Sequence, residues 1–225
     1  VDFQRARSQE QREQRRHAIL DTAREMLAEM SVAEMSLNEL SRRVGLAKSN
    51  VLRYFESREA VLLELLDAEL REWAHALRER PAAASVPIGE GVRARGDMLA
   101  RAIVETMDER PMMCDLIASQ AAVLERNIST EAALRHKRAT AVSADGLVEA
   151  IRSAVPELDA EQAYGVVVVT LLMASAAWPH SRPSAALQAA YDSDPEVAAS
   201  YLSFEDIVGS TVAVHIAGLF ARGVD

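Results

Sequence analysis

A single cysteine, Cys114, stands among 225 residues, so the chain cannot close an internal disulfide and nothing in it points to an oxidising compartment. No phosphate-cradling glycine loop is present. The histidines His17, His75, His136, His180 and His215 lie far apart, and none sits in a zinc-protease pattern. Glu72 and His75 have the Glu-x-x-His spacing of a carboxylate-bridged di-iron bundle, but such a site needs a second copy and two further glutamates. No catalytic residue, metal or cofactor is therefore expected, and the chain does not read as an enzyme. The longest uncharged run, Ala163 to Trp178, falls short of the ~20 residues usually needed to span a bilayer, so a buried helix is expected there and no membrane. The first residues are rich in Arg and Gln with no apolar stretch of the secretory kind, which makes the cytoplasm the expected location. Aromatics are only 4%, which disfavours a pocket built from stacked rings.

Hydrophobic residues make up 49% of the chain, enough for a sizeable core. Ala, Leu, Glu and Arg dominate and few segments alternate apolar with polar, so an all-helical protein is expected. The net charge of −9 argues at first against nucleic acid, but it is unevenly spread. Residues 1–60 carry eleven basic and ten acidic residues, a net of +1, while residues 61–225 carry a net of −10. The split removes that objection and suits a small N-terminal domain over 1–60 followed by a larger helical domain over 61–225.

The stretch SLNELSRRVGLAKSNVLRYF, Ser36 to Phe55, holds the strongest functional signal. Ser36 three residues before Glu39 is a capping-box start. Leu37, Leu40 and Val44 recur at helical spacing, and Gly45 is placed to end that helix in a positive-φ turn. A second short helix follows, with Val51 and Phe55 turned inward. Lys48, Ser49, Asn50, Arg53 and Tyr54 are left outward, and such side chains reach base edges and phosphates. From Ser36 to Arg58 five basic residues (Arg42, Arg43, Lys48, Arg53 and Arg58) face two acidic ones, a local net of +3. A helix hairpin with a glycine turn and a basic second helix is a helix-turn-helix.

Around this unit the pattern predicts a first helix over about 12–30, preceded by a basic arm or helix extension, and a long fourth helix capped by Ser57. The segment 81–91 reads as a loop. Further helices are expected at about 92–109, 112–126, 130–154, 159–178 and 204–221, with a short one near 184–191. Asp159 with Gln162 and Ser203 with Asp206 are the caps expected for the last two long helices. Those two are apolar almost all round. One domain of this size covers only part of such surfaces, so both helices are expected to pair with a second copy in a homodimer. A dimer suits the DNA reading, because two recognition helices ~34 Å apart read a palindrome in successive major grooves.

The run from Arg16 to Leu66 resembles the DNA-binding domain of TetR-type transcriptional repressors. The likeness rests on Ile19-Leu20, Ser36-Leu37, the Val44-Gly45-Leu46 turn, Tyr54-Phe55 and Ser57-Arg58-Glu59. It implies a homodimer on a palindromic double-stranded operator, released when a small molecule binds the C-terminal domain. By position, Ser36 is similar to the hydroxyl that holds a phosphate and Lys48 to a lysine for phosphate or base. Tyr54 matches an aromatic beside the backbone, and Arg58 the basic residue opening helix four. The resemblance places the effector pocket among helices between about 60 and 178, where Met107, Met112, Met113, Cys114, Gln120 and Trp178 are candidate wall residues.

The chain also departs from the family pattern. Ala47 replaces the usual capping serine, Ser49-Asn50 a frequent Gly-Thr, Leu52-Arg53 two frequent tyrosines, and Glu56 a frequent lysine. Asn50 is suited to adenine and Arg53 to guanine or phosphate. Two other readings stay open here. One is a helical small-molecule-binding protein that does not engage DNA. The other is a helix-turn-helix regulator with a protein partner and no ligand.

Overall fold

The computed structural model describes residues 2–80 and 91–222, with side chains from residue 9 onward, so most of the expected 81–91 loop lies outside the described residues. The described residues contain helices and turns but no strand. They form two compact units, Val1–Ala68 with Ser119–Lys137, and Glu69–Ala118 with Arg138–Asp225.

In the first unit, α1 (Asp2–Glu29) begins ten residues before the start expected at about residue 12. Residues 9–15 are exposed, and no apolar stripe marks the helix start in the sequence. Ile19, Ala23 and Met26 of α1 are buried with Val32 and Met35 of the following turn, Leu40 of α2 (Leu37–Val44), and Val51 and Phe55 at α3 (Lys48–Val51). Val61, Leu62, Leu65 and Leu66 of α4 (Arg58–Glu79) complete this core. Truncating one such side chain to Ala costs about 2–5 kcal/mol. Arg16 clamps the packing: its guanidinium lies 4.1 Å from the Phe55 ring centre, donates to the Tyr54 carbonyl at 2.6 Å and pairs with Glu64. Arg58 does the same for the α1–α2 turn, donating to the Met35 carbonyl at 2.8 Å. The Ser57 hydroxyl caps α4 by accepting from the Ala60 amide at 3.1 Å.

The second unit holds the rest of α4, then α5 (Val92–Asp108), α6 (Pro111–Ser119) and most of α7 (Thr130–Ala154). It is completed by α8 (Ala160–His180), the short α9 (Ala185–Ser193) and α10 (Pro195–Ala198), and α11 (Ser210–Arg222). Two π-helical turns, Gln120–Leu124 and Glu205–Gly209, break the regular spacing where continuous helices are expected from sequence. Helix α11 packs on α5 and α8. The Gly96–Ile216 approach is so close that a Cβ on Gly96 would lie 2.9 Å from the Ile216 side chain. Trp73 is buried with its indole N–H donated to Thr106 at 3.0 Å, so its polar edge is satisfied. Asp159 and Gln162 form the full reciprocal capping box at the start of α8.

Helix α8 extends past the apolar run at both ends and through Pro179, and by length and composition alone it is long enough to cross a bilayer. Within its unit it behaves as a core helix on one side, with Ala163, Val166, Val167, Thr170, Ala174 and Trp178 buried. The opposite stripe is bare: Tyr164, Val168 and Leu172 are exposed, Leu172 by 64%. On α11, Val214 is exposed by 71%.

Candidate nucleic-acid interface

The helix pair is built as its local chemistry dictates. The Ser36 hydroxyl accepts from the Glu39 amide at 3.1 Å, which fixes the first turn of α2 and leaves the hydroxyl proton available to a phosphate. The reciprocal half of the expected capping box is not made. The Glu39 carboxylate turns to Arg42 (2.6 Å) and Arg43 (3.1 Å), which hold its pKa down at about 2. Two guanidiniums outbid a single backbone N–H. Gly45 has φ of 73°, and the amide of Leu46 reaches back to the Ser41 carbonyl at 3.0 Å, a Schellman stop. Leu40 is buried while Leu37, Val44 and Leu46 are half-buried against the turn.

Helix α3 is a single α-turn that continues as turns to Tyr54, and Ala47 gives it no side-chain cap. Val51 and Phe55 point inward, and Lys48, Ser49, Asn50 and Arg53 are exposed. Tyr54 is half-buried and Leu52 is exposed. Of the predicted DNA-contacting residues, Lys48, Ser49, Asn50, Arg53 and Tyr54 thus share one short element. Arg43 and Arg58 stand apart with internal partners: Arg43 bonds Glu29 at 2.6 Å as well as Glu39, and Arg58 holds the α1–α2 turn and Glu59.

The cations of this unit divide by pairing. Arg16, Arg42, Arg43 and Arg58 each hold a carboxylate. Arg12, Arg15, Lys48 and Arg53 hold none among the described residues. Arg15 joins Asn50, Arg53 and Tyr54 in lining one 210 Å³ cleft. An isolated exposed charge costs nothing in water, and it remains available to an oxyanion.

Three features of the first unit are invisible to local sequence reading. Glu56 does not approach the recognition face. It accepts from the Ser129 amide at 2.6 Å and the Ser129 hydroxyl at 2.7 Å, anchoring the start of α7, and those bonds hold its pKa below the ordinary carboxylate value. His136 is 2% exposed, with Nδ1 at 2.6 Å from Asp67 and Nε2 at 3.0 Å from the Gln120 amide nitrogen. With that amide donating to Nε2, Nδ1 carries the proton that faces Asp67. Lys137 closes the set by pairing with Glu125 at 2.7 Å.

The expected effector residues do not form one group. Gln120 belongs to the first unit and bonds Glu125 and His136. In the second unit Met107, Met113 and Cys114 are fully buried, Met112 is half-buried, and the Cys114 thiol donates to the Met107 carbonyl at 3.4 Å. Burial pushes the Cys114 pKa up to about 12, so it is an inert core thiol at neutral pH. Trp178 packs edge-on against Phe204 at 5.4 Å, and the Arg182 guanidinium lies 3.7 Å above its ring. Arg182 and Phe204, with Glu105, Asp108 and Tyr201, line a 350 Å³ cleft. Glu72 and His75 both face solvent, and His75 Nδ1 meets Arg78 at 2.7 Å. Among the described residues no three His, Cys, Asp or Glu side chains are placed to hold a metal.

A glycine-turned helix pair with a solvated, basic second helix, followed by a larger helical unit, defines an all-helical helix-turn-helix protein. Residues 19–65 match the family described as bacterial regulatory proteins, tetR family, and residues 67–223 match the tetracyclin repressor-like C-terminal domain. The chain belongs to the TetR family of DNA-binding transcriptional regulators. Over 68 residues it is 38% identical to the HTH-type transcriptional regulator EthR of Mycobacterium tuberculosis H37Rv, which covers 29% of this chain and 32% of that protein. The same holds for EthR of Mycobacterium bovis, so the match spans about a third of the length of these curated relatives. A TetR regulator from Rhodococcus sp. RHA1 shares the fold with a TM-score of 0.57 at 15% identity, over 95% of this chain and 98% of that one. A possible TetR family regulator from Streptomyces coelicolor A3(2) does so at 0.55 and 19%, over 92% and 99%.

Proposed function

We propose that the chain is a homodimeric repressor that binds a palindromic operator through α3 and is released by a small-molecule effector. One observation carries the DNA half of this reading. Lys48, Asn50 and Arg53 lie exposed on one short element whose two cations have no internal carboxylate, while Arg42, Arg43 and Arg58 nearby are all paired. Ser36 and Ser49 add hydroxyl donors beside them. Recognition is assigned to residues 1–60, and effector binding and dimerisation to 61–225, with α4 running unbroken across that boundary.

The bare stripe Tyr164–Val168–Leu172 recurs every four residues on α8, and α11, which packs on α8, adds exposed Val214. A second copy of the same two helices is the partner such a self-complementary apolar face fits. The effector seat proposed for the second unit centres on Met107, Met113, Cys114 and Trp178, and Arg182 and Phe204, which touch Trp178, line the 350 Å³ cleft beside it. Met side chains repack readily around an incoming ligand. The family's work on DNA makes the cytoplasm the proposed location.

Selection of bound duplexes from fragmented genomic DNA tests the reading. The recovered site should be two-fold symmetric, and Asn50→Ala or Arg53→Ala should cost ~1–3 kcal/mol at particular base pairs of each half-site. A uniform loss over all sequences would reduce those two residues to backbone contacts. Failure to enrich any duplex would remove DNA binding itself.

A further inference from the structure

The cleft that joins Arg15 to Asn50 and Arg53 shares Arg15, Arg53 and Tyr54 with a larger one, about 1090 Å³, along α1. Gln11, Arg12, Gln14 and Arg15 of α1 line it, facing Arg53 and Tyr54. We infer that this α1 wall is a second nucleic-acid seat, which takes the sugar–phosphate backbone of the duplex whose major groove receives α3. The inference rests on the DNA-binding reading above and extends it to a helix that local pattern marks only as a solvated surface.

The chemistry of the wall selects its occupant. Gln11, Gln14, Arg15 and Ala18 follow the three- and four-residue spacing of one helix face, and Ala18 keeps that face low enough for a strand to lie on it. Glu10 and Glu13 sit on the same turns but do not line the cleft, so among the described residues its lining holds three guanidiniums, two carboxamides and no carboxylate. Arg12, Arg15 and Arg53 hold no ion pair among the described residues, so their planar donor forks are open to an oxyanion. A phosphodiester accepts such forks in the bidentate manner, and carboxamide N–H groups bond its remaining oxygen. An acidic peptide would meet the same donors. Continuity with Asn50 and Arg53 on the recognition element favours the DNA strand bordering the groove that α3 enters. In helix-turn-helix docking the element beside the recognition helix crosses that backbone.

The full chain and a 30-base-pair random-sequence duplex suffice for the test, with affinity measured by fluorescence anisotropy between 50 and 200 mM salt. Arg12→Ala/Arg15→Ala should flatten the slope of log K against log salt by about 2 per bound protomer, hence about 4 for the homodimer, which makes the affinity lost over that range about a hundredfold smaller than in the wild type. Arg12→Lys/Arg15→Lys should keep the wild-type slope. Thermal melting of both variants should be unchanged, since neither arginine has an internal partner to lose. An unchanged slope in the Ala variant, with the wild type binding normally, would overturn the α1 seat and leave α3 recognition standing. Loss of slope in the Lys variant as well would also overturn it, since the positions would then act through structure. Absence of any wild-type binding, even at 50 mM salt, would overturn the DNA reading beneath it.

Discussion

Two faces of this chain are left uncovered, and their chemistries are opposite. The α3 face shows Lys48, Ser49, Asn50 and Arg53, exposed polar side chains whose donors meet no acceptor among the described residues. The α8–α11 face shows Tyr164, Val168, Leu172 and Val214, with no charged side chain among them. Only the second would be a fault in a finished monomer, since water solvates the first at no cost. A row of unpaired donors calls for phosphates and base edges, whereas a bare apolar stripe calls for another copy of itself. The contrast also sorts energies. Burying the apolar stripe contributes roughly 25 cal/mol per Å² and is nearly insensitive to salt. Occupying the cationic face is dominated by counterion release and falls steeply with salt.

The comparison breaks most sharply if the apolar face is charged. Tyr164→Arg with Leu172→Arg sets like charges against each other across the proposed two-fold axis. The full chain should then sediment as a monomer at micromolar concentration, and operator affinity should fall by ~10²-fold or more as bivalency is lost. A variant that stays dimeric would place the partner surface elsewhere.

The smallest expected effect sharpens the other side, at Glu56, the acidic residue that follows Phe55 in sequence and turns to Ser129. Its bonds from the Ser129 amide and hydroxyl make it more acidic in the folded chain than in the unfolded one. Its contribution is therefore complete above the ordinary carboxylate pKa and is lost as pH falls through its own depressed value. Glu56→Gln should lower stability at pH 7 by less than about 1 kcal/mol, as for an exposed charged contact. The difference from wild type should shrink in acid denaturation series as the pH drops below ~4. A gap that persists at low pH would show that Ser129 is held by shape rather than by charge.

The recognition unit was legible because its determinants are short-range. The Ser36 cap, the Gly45 stop and the Ser57 cap each act within a few residues, and the capping box of Asp159 with Gln162 set the start of α8 in the same way. What could not be read depends on distant partners. Asp67 meets His136 across 69 positions, and Glu56 meets Ser129 across 73. Neither pair carries a local pattern. The start of α1 carries no apolar stripe in its sequence, so periodicity could not show it as helix. The two π-turns shift the register within runs that read as continuous helices. Gln120, grouped with methionines by its place in the chain, is drawn instead into the His136 cluster. The departures at Asn50, Leu52 and Arg53 were visible from sequence. Their exposure makes them consequential for which operator is read.

A salt titration of operator binding by the wild type and Lys48→Ala tests the central claim most directly. The account predicts a steep fall of affinity with salt in the wild type and a slope shallower by ~1 per protomer, about 2 for the homodimer, in the variant. Operator affinity indifferent to salt, or identical slopes for the two proteins, would contradict the assignment of the unpaired cations on α3 to DNA.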